Sequence, residues 1–334
     1  MIYFIYGEDS YRAKIKLEEI IRGYKKVHKS GLNLIYIDAG KQNFKDFYGN
    51  LKITSMFAEK KLIILKNIFS AKGGPASGWQ EDFLKNIKNL EEIKDIIIVY
   101  EDCAPDQRTK LFKELSGSTR SREARQIKCQ GFNYLQPAML KKWVAQEFSA
   151  EGGSAFGGEK KETRINPDAL DLLVSFVGND LWKMANEINK LSNYKAGSTV
   201  KKEDIELLVK PNIENDIFKT IDALASKDKK RALSLLHKHI DDGDNTLYLL
   251  SMISYQFRNL LIIKELQDAQ NPYGAVIKKS GLRPFAAQKT YYLCNQFSMP
   301  ELKKIYRKIF QIDSDIKTGK VEPETALDLL LAGI

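Results

Sequence analysis

The stretch IYFIYGEDSYRAKIKLEEI near the start of the chain has the order strand, loop, helix that nucleotide-binding domains share. A loop that holds phosphate needs repeated glycines, a lysine for the terminal phosphates and a Ser or Thr for magnesium. This loop has one glycine, Gly7, and the carboxylates of Glu8 and Asp9 would repel phosphate. We therefore expect a nucleotide-binding fold without its nucleotide site, or an ordinary turn in which Asp9 or Ser10 caps the helix.

The strand expected to carry the magnesium ligands of an ATP site also lacks them. Such sites use an apolar strand that ends in acidic residues. The candidate strand LIIL (62–65) is followed by Lys66 and Asn67, a cation and an amide. No G-x-x-x-x-G-K-[ST] motif occurs in the sequence. These departures predict that the chain does not hydrolyse ATP, and no catalytic or cofactor-binding residue is assigned.

The histidines give little support for a metal site. His237 and His239 are two residues apart, so on a helix they point in different directions. His239 falls on an apolar stripe with Ala232, Leu235 and Leu236, which predicts a partly buried core histidine. No metal ligand is assigned.

Composition bounds the class of protein. A chain of 334 residues with 43% apolar residues can form two or three domains with real cores. A net charge of +10 permits contact with nucleic-acid phosphates without requiring it. The three cysteines, Cys103, Cys129 and Cys294, are far apart, which favours a reducing cytoplasm over a disulfide framework. No apolar run is long enough for a membrane span, and the start lacks signal-peptide features.

Strands and helices alternate in the first part of the chain. Apolar runs predict strands at 2–6, 32–39, 61–68, 95–101 and 124–129. Helical patterns between most of them, including 81–90 and 108–115, predict a parallel sheet with helices on both faces. The glycine-rich tract at 150–163 is interpreted as a mobile insertion near a domain boundary.

The rest of the chain is predicted to be helical. Pro167 begins one helix and Gly178 separates it from a second. From about residue 211 the pattern is helical throughout, with an apolar stripe at Leu302, Ile305, Ile309, Ile312 and Ile316. We therefore predict an α/β domain at 1–140, a small helical domain at 141–210 and a larger helical domain at 211–334.

In this order, several segments resemble the delta subunit of the bacterial DNA polymerase III clamp loader. The similar segments are IYFIYGEDSYRAKIKLEEI, SMFAEKKLIILKN, PDQRTKLFKEL, FVGNDLWKMANEINKLSNY and DIKTGKVEPETALDLLL. The resemblance implies an AAA+-like domain without ATPase residues, a lid domain and a collar domain. It also implies binding and opening of the ring-shaped sliding clamp (beta), together with the gamma/tau and delta-prime subunits, for loading on primed DNA.

Met56 and Phe57 are the candidate binding residues, in the stretch ITSMFAEKKLIIL between a helical pattern and a strand. Two large apolar side chains at a turn are either buried in their own domain or bind a partner. The resemblance implies that this pair projects into an apolar pocket on the clamp. Two other classes stay open: a nucleotide-binding AAA+ ATPase subunit of the same or a related loader, and a stand-alone DNA-binding protein.

Overall fold

The computed structural model describes residues 1–28, 32–52, 60–70, 78–117, 127–149, 163–210 and 213–334. The chain divides into two units, Met1–Tyr134 and Leu135–Ile334. Within the described ranges, no helix is both long enough and apolar enough to cross a membrane. The glycine-rich tract lies outside the described residues apart from its last position, 163.

The first unit alternates strands with helices, as predicted. In chain order they are β1 (Ile2–Tyr6), α1 (Ser10–Val27), β2 (Leu34–Asp38), α2 (Phe44–Lys52), β3 (Leu62–Lys66), α3 (Trp79–Glu92), β4 (Ile96–Tyr100), α4 (Lys110–Ser116) and β5 (Ile127–Gly131). The strands form one sheet in the order β2-β3-β4-β1-β5, and each adjacent pair is parallel. The predicted strands and their parallel arrangement are confirmed.

Helices cover both faces of this sheet. Alternate residues of β3 show the two faces: Ile63 and Leu65 pack with α2, α3 and α4, while Leu62 and Ile64 pack with α1. All four side chains are fully buried. Burial on both faces explains why the strands are continuous apolar runs without polar alternation.

Aromatic side chains fix α2 against α3. The ring centroid of Phe47 lies 5.8 Å from that of Trp79 and 6.2 Å from that of Phe83. The indole Nε1 of Trp79 donates to the Gln42 carbonyl oxygen at 2.8 Å, so the polar atom of this buried ring is satisfied. These contacts set the position of α2, whose C-terminal end borders the segment that contains Met56 and Phe57.

The second unit is helical, apart from an isolated bridge between Ile165 and Val200 among its described residues. Its helices are α5 (Pro137–Ser149), α6 (Pro167–Val177), α7 (Leu181–Lys195), α8 (Lys202–Leu208), α9 (Ile213–Ala225), α10 (Lys229–Asp241), α11 (Thr246–Asp268), α12 (Tyr273–Lys279), α13 (Pro284–Leu293), α14 (Met299–Lys317) and α15 (Pro323–Ala332), with a short 3₁₀ helix at Cys294–Gln296. The predicted helix pair around Gly178 is confirmed. The helix α8 and the bridge were not predicted.

Helices α9–α15 share one apolar core. The stripe on α14 contributes Leu302, Ile305 and Ile309 to it, while Ile312 and Ile316 pack against its margin. Among the preceding helices, α5 packs with α6 and α7, and α6 packs with α8. The predicted three-domain division, with boundaries near residues 140 and 210, stays a prediction.

The helical core gives a matched test of packing. Phe257 is fully buried, with its ring 6.1 Å from that of Phe297, whereas Phe310 is 72% exposed on α14. We expect Phe257→Ala to lower the free energy of unfolding by about 3–5 kcal/mol through cavity formation. Phe310→Ala should change it by no more than about 0.5 kcal/mol. Urea unfolding followed by far-UV circular dichroism measures both values, and equal effects would contradict the assigned packing.

Candidate functional site

The loop after β1 directs main-chain donors to protein acceptors. The Gly7 N–H donates to the Cys103 carbonyl oxygen at 3.1 Å, and the Asp9 N–H donates to the Phe132 carbonyl oxygen at 3.0 Å. A phosphate-binding loop instead points such groups at its ligand. Gly7 has a φ of 150°, and a Cβ at this position would lie 1.9 Å from the Phe132 oxygen. The close approach of these two chain segments therefore requires glycine.

Asp9 caps α1, which confirms one of the two predicted caps. Its carboxylate, in a residue only 4% exposed, accepts from the Arg12 N–H at 3.0 Å and from Arg12 Nε at 2.6 Å. The Arg12 guanidinium also donates to the Asn133 carbonyl oxygen at 2.6 Å and lies 5.6 Å from the Phe132 ring centroid. The N-terminal end of a helix is where phosphate binds in nucleotide folds, and here a carboxylate occupies it.

Side chains after β2, β3 and β4 form a connected polar network. Asn67 Nδ2 donates to Asp38 Oδ1 at 2.9 Å. The Ser70 hydroxyl lies 3.3 Å from Asn67 Oδ1 and 3.0 Å from Glu101 Oε2. The Phe69 N–H donates to Glu101 Oε1 at 2.9 Å. The network joins three strand ends at the carboxyl edge of the sheet, and both of its carboxylates accept from protein donors.

The two carboxylates differ in electrostatic environment. The hydrogen bond from Asn67 stabilises the charged form of Asp38 and lowers its pKa, with help from the Gly40 N–H. Burial raises the pKa of Glu101, which is fully inaccessible to solvent, against the opposing hydrogen bonds from Phe69 and Ser70. Hydrogen bonding dominates at Asp38 and desolvation at Glu101.

The end of β3 carries a cation and an amide where the sequence places them. Lys66 Nζ lies 5.9 Å from the ring centroids of both Tyr36 and Tyr100. Asn67 adopts a left-handed conformation, with φ of 64°. No cluster of three or more His, Cys, Asp or Glu side chains suited to a metal occurs in the parts of the chain that the structure describes.

The histidines of α10 and the buried cysteine have structural partners. His239 is 7% exposed, and its Nδ1 lies 2.8 Å from Asp244 Oδ2, which confirms the predicted core position. His237 Nε2 lies 3.0 Å from Asp328 Oδ1, so the two rings contact different partners. The three cysteines are free, and burial raises the pKa of the Cys294 thiol to about 12.

The predicted clamp-binding residues, Met56 and Phe57, lie outside the described residues. The chain on each side of them is described, because α2 ends at Lys52 and β3 begins at Leu62. The assignment of Met56 and Phe57 to clamp binding therefore stays a prediction.

One side chain links the two ends of this segment. Lys61, only 5% exposed, donates from Nζ to the carbonyl oxygens of Asn50 at 2.6 Å and Leu51 at 3.3 Å. The Tyr24 hydroxyl donates to the Lys60 carbonyl oxygen at 2.7 Å. Sequence reasoning treated Lys61 as one member of a charged run. The only signal in the sequence was a lysine adjoining an apolar strand, which is too common to be specific.

Comparison with known proteins identifies the fold and then the family. A solved structure of the Bacillus subtilis DNA clamp loader delta protein aligns with a TM-score of 0.69 at 19% identity, covering 99% of this chain and 94% of that one. The α/β unit followed by helices is therefore the fold of that protein. The curated relatives include DNA polymerase III subunit delta of Bacillus subtilis, 21% identical over 99% of this chain and 91% of its own length.

A second relative is the probable DNA polymerase III subunit delta of Aquifex aeolicus, 22% identical over 94% of this chain and 85% of its own length. The family model for the DNA polymerase III delta subunit matches residues 3–130, and the model for its C-terminal domain matches residues 214–334. The chain belongs to the DNA polymerase III delta subunit family, as the sequence resemblance predicts.

The loop after β1 gives a matched pair of glycine substitutions. Gly7→Ala should lower the free energy of unfolding by about 3 kcal/mol or more, because the new Cβ meets the Phe132 carbonyl at a strained φ. Gly23→Ala in α1 meets no atom within 4 Å and should raise stability by about 0.5–1 kcal/mol. Thermal and urea unfolding report both changes. A neutral Gly7→Ala would contradict the close approach.

The polar network predicts two pH dependences of opposite sign. Because the folded state raises the pKa of Glu101, wild-type stability falls as pH rises above about 4.5, so Glu101→Gln should gain relative stability from pH 4.5 to 7. Because the folded state lowers the pKa of Asp38, its contribution is present above pH 3.8 and is lost on acidification. Asp38→Asn should therefore lose relative stability as pH rises through that range. Urea unfolding at stepped pH checks both signs, and equal slopes would refute the assignment.

Proposed function

We propose that this chain is the delta subunit of a clamp loader, which binds a ring-shaped sliding clamp and opens it for loading on primed DNA during replication. The observation that carries the proposal is the match of delta-subunit family models to residues 3–130 and 214–334. The fold shared with a protein named as a DNA clamp loader delta protein supports it.

In this proposal Met56 and Phe57 insert into an apolar pocket on the clamp. Methionine adapts to an irregular pocket, and phenylalanine supplies buried area. Opening then needs no covalent chemistry from this chain. A ligand that binds the open conformation of the ring more tightly than the closed one shifts the equilibrium by the difference in affinity.

The chain is proposed to act as a non-catalytic subunit. The Gly7 and Asp9 N–H groups bind protein carbonyls, the Asp9 carboxylate occupies the start of α1, and Lys66 follows the strand where an acidic residue would hold magnesium. These features disfavour the alternative of a nucleotide-binding ATPase subunit. A titration of the purified chain with a fluorescent ATP analogue separates the two, because micromolar binding would support the alternative.

The partners follow from the same proposal. Gamma/tau subunits with intact ATP sites and a delta-prime subunit would assemble with this chain, and helices α9–α15 would form its collar contacts. Primed DNA would be reached through the assembled loader. The net charge of +10 is compatible with that contact but does not by itself indicate a stand-alone DNA-binding protein.

The clamp contact can be tested with a double variant. Met56→Ser with Phe57→Ser should weaken binding of the purified chain to its cognate sliding clamp by about thirtyfold or more, since an anchor residue is commonly worth at least about 2 kcal/mol. Surface plasmon resonance with and without ATP measures the affinity. Binding by the wild type should not require ATP.

The matched control is Phe310→Ser, which removes a phenylalanine that is 72% exposed on α14 and should leave clamp affinity unchanged. Circular dichroism and thermal melting establish that each variant is folded. Wild-type affinity in a folded double variant would exclude Met56 and Phe57 as the anchor.

A further inference from the structure

Lys61 joins a helix end to a strand start through a buried charge. Its ammonium donates to the carbonyl oxygens of Asn50 and Leu51 in the last turn of α2, while the residue itself directly precedes β3. We call this set, with Tyr24 and Lys60, the helix–strand clasp. The last carbonyls of a helix have no partner within the helix, and a cation there also interacts favourably with the helix dipole.

The main chain at Lys61 is itself anchored to the sheet. Its N–H donates to Asp95 Oδ1 at 2.9 Å, and its carbonyl oxygen accepts from the Ile96 N–H at 2.9 Å. The next residue, Leu62, donates to the Asn33 carbonyl oxygen at 2.9 Å. The ammonium therefore binds α2 from a fixed base, and the clasp sets the position of the α2 end relative to the sheet.

Tyr24 holds the neighbouring residue from a different helix. Its side chain projects from α1, its hydroxyl donates to the Lys60 carbonyl oxygen at 2.7 Å, and the residue is 6% exposed. The Tyr24 ring centroid lies 4.6 Å from that of His28. Two buried side chains from separate elements therefore fix positions 60 and 61, immediately after the segment 53–59.

We propose that Lys61 is a positioning residue for clamp recognition, because the clasp holds together the two ends of the segment that carries Met56 and Phe57. This inference rests on the proposed function. A binding segment whose ends are fixed loses less conformational entropy when it binds, which raises affinity without adding a contact. Lys61 acts through the segment and does not itself touch the partner.

The test uses the full chain with three variants. Lys61→Met keeps the length and apolar stem of the side chain but removes the ammonium. Tyr24→Phe removes only the hydroxyl and provides a second, milder break in the clasp. The matched control is Lys308→Met, because Lys308 donates to the Leu329 carbonyl oxygen near the end of α15 at 3.1 Å, the same type of bond at another helix end.

Two readouts separate this inference from the proposed function. Hydrogen–deuterium exchange of amides 53–60, in the chain without clamp, should become faster in Lys61→Met and Tyr24→Phe but not in Lys308→Met. Clamp affinity should fall by about tenfold in Lys61→Met, the size of one charge-assisted hydrogen bond, and by about threefold in Tyr24→Phe. In the Met56/Phe57 double variant, Lys61→Met should cause no further loss.

Unchanged exchange in both clasp variants would overturn the inference, whatever the affinities. Faster exchange with wild-type affinity would also overturn it, since the clasp would then be structural only. Equal losses of affinity in Lys61→Met and Lys308→Met would indicate general destabilisation and count against it. Failure of the wild type to bind its clamp would reject the proposed function and the recognition role together, while exchange still reports whether Lys61 orders the segment.

Discussion

The parallel sheet of the first unit depends on cover over both of its faces, because its strands carry apolar side chains on both. α1 provides that cover on one face, and α2, α3 and α4 provide it on the other. The helices leave the carboxyl ends of the strands as the place where polar groups from different strands can meet. The chemistry open to this unit is therefore set along one edge of the sheet.

At that edge the polar groups bind one another. A nucleotide phosphate at the start of α1 would have to displace the Asp9 carboxylate from Arg12 and from the helix N–H groups. The displaced carboxylate would be a buried charge without a partner, which is strongly unfavourable. Glu101 is likewise held by Phe69 and Ser70. This arrangement favours recognition of a protein partner by a neighbouring segment over nucleotide chemistry at the edge.

Features that depend on neighbours in sequence were predictable. Apolar runs indicated the strands, and the order of residues around Asp9, Pro167 and Gly178 indicated helix starts and ends. The partners of Lys61 and Glu101 were not, because spacing along a chain does not determine which elements meet in space. The clamp-binding assignment of Met56 and Phe57 came from family resemblance, since an apolar pair at a turn is equally compatible with burial in its own domain.

Charged side chains satisfy helix ends in both units, with different consequences. Lys229 donates to the Ala332 carbonyl oxygen at 2.7 Å, and Lys308 binds the same helix, α15. Since α15 already packs with α10, α11 and α14, these bonds add stability to a helix that other contacts hold. The Lys61 bond connects α2 to the sheet across a segment proposed to bind a partner. The same interaction therefore stabilises one helix and positions another, according to what the adjoining chain has to do.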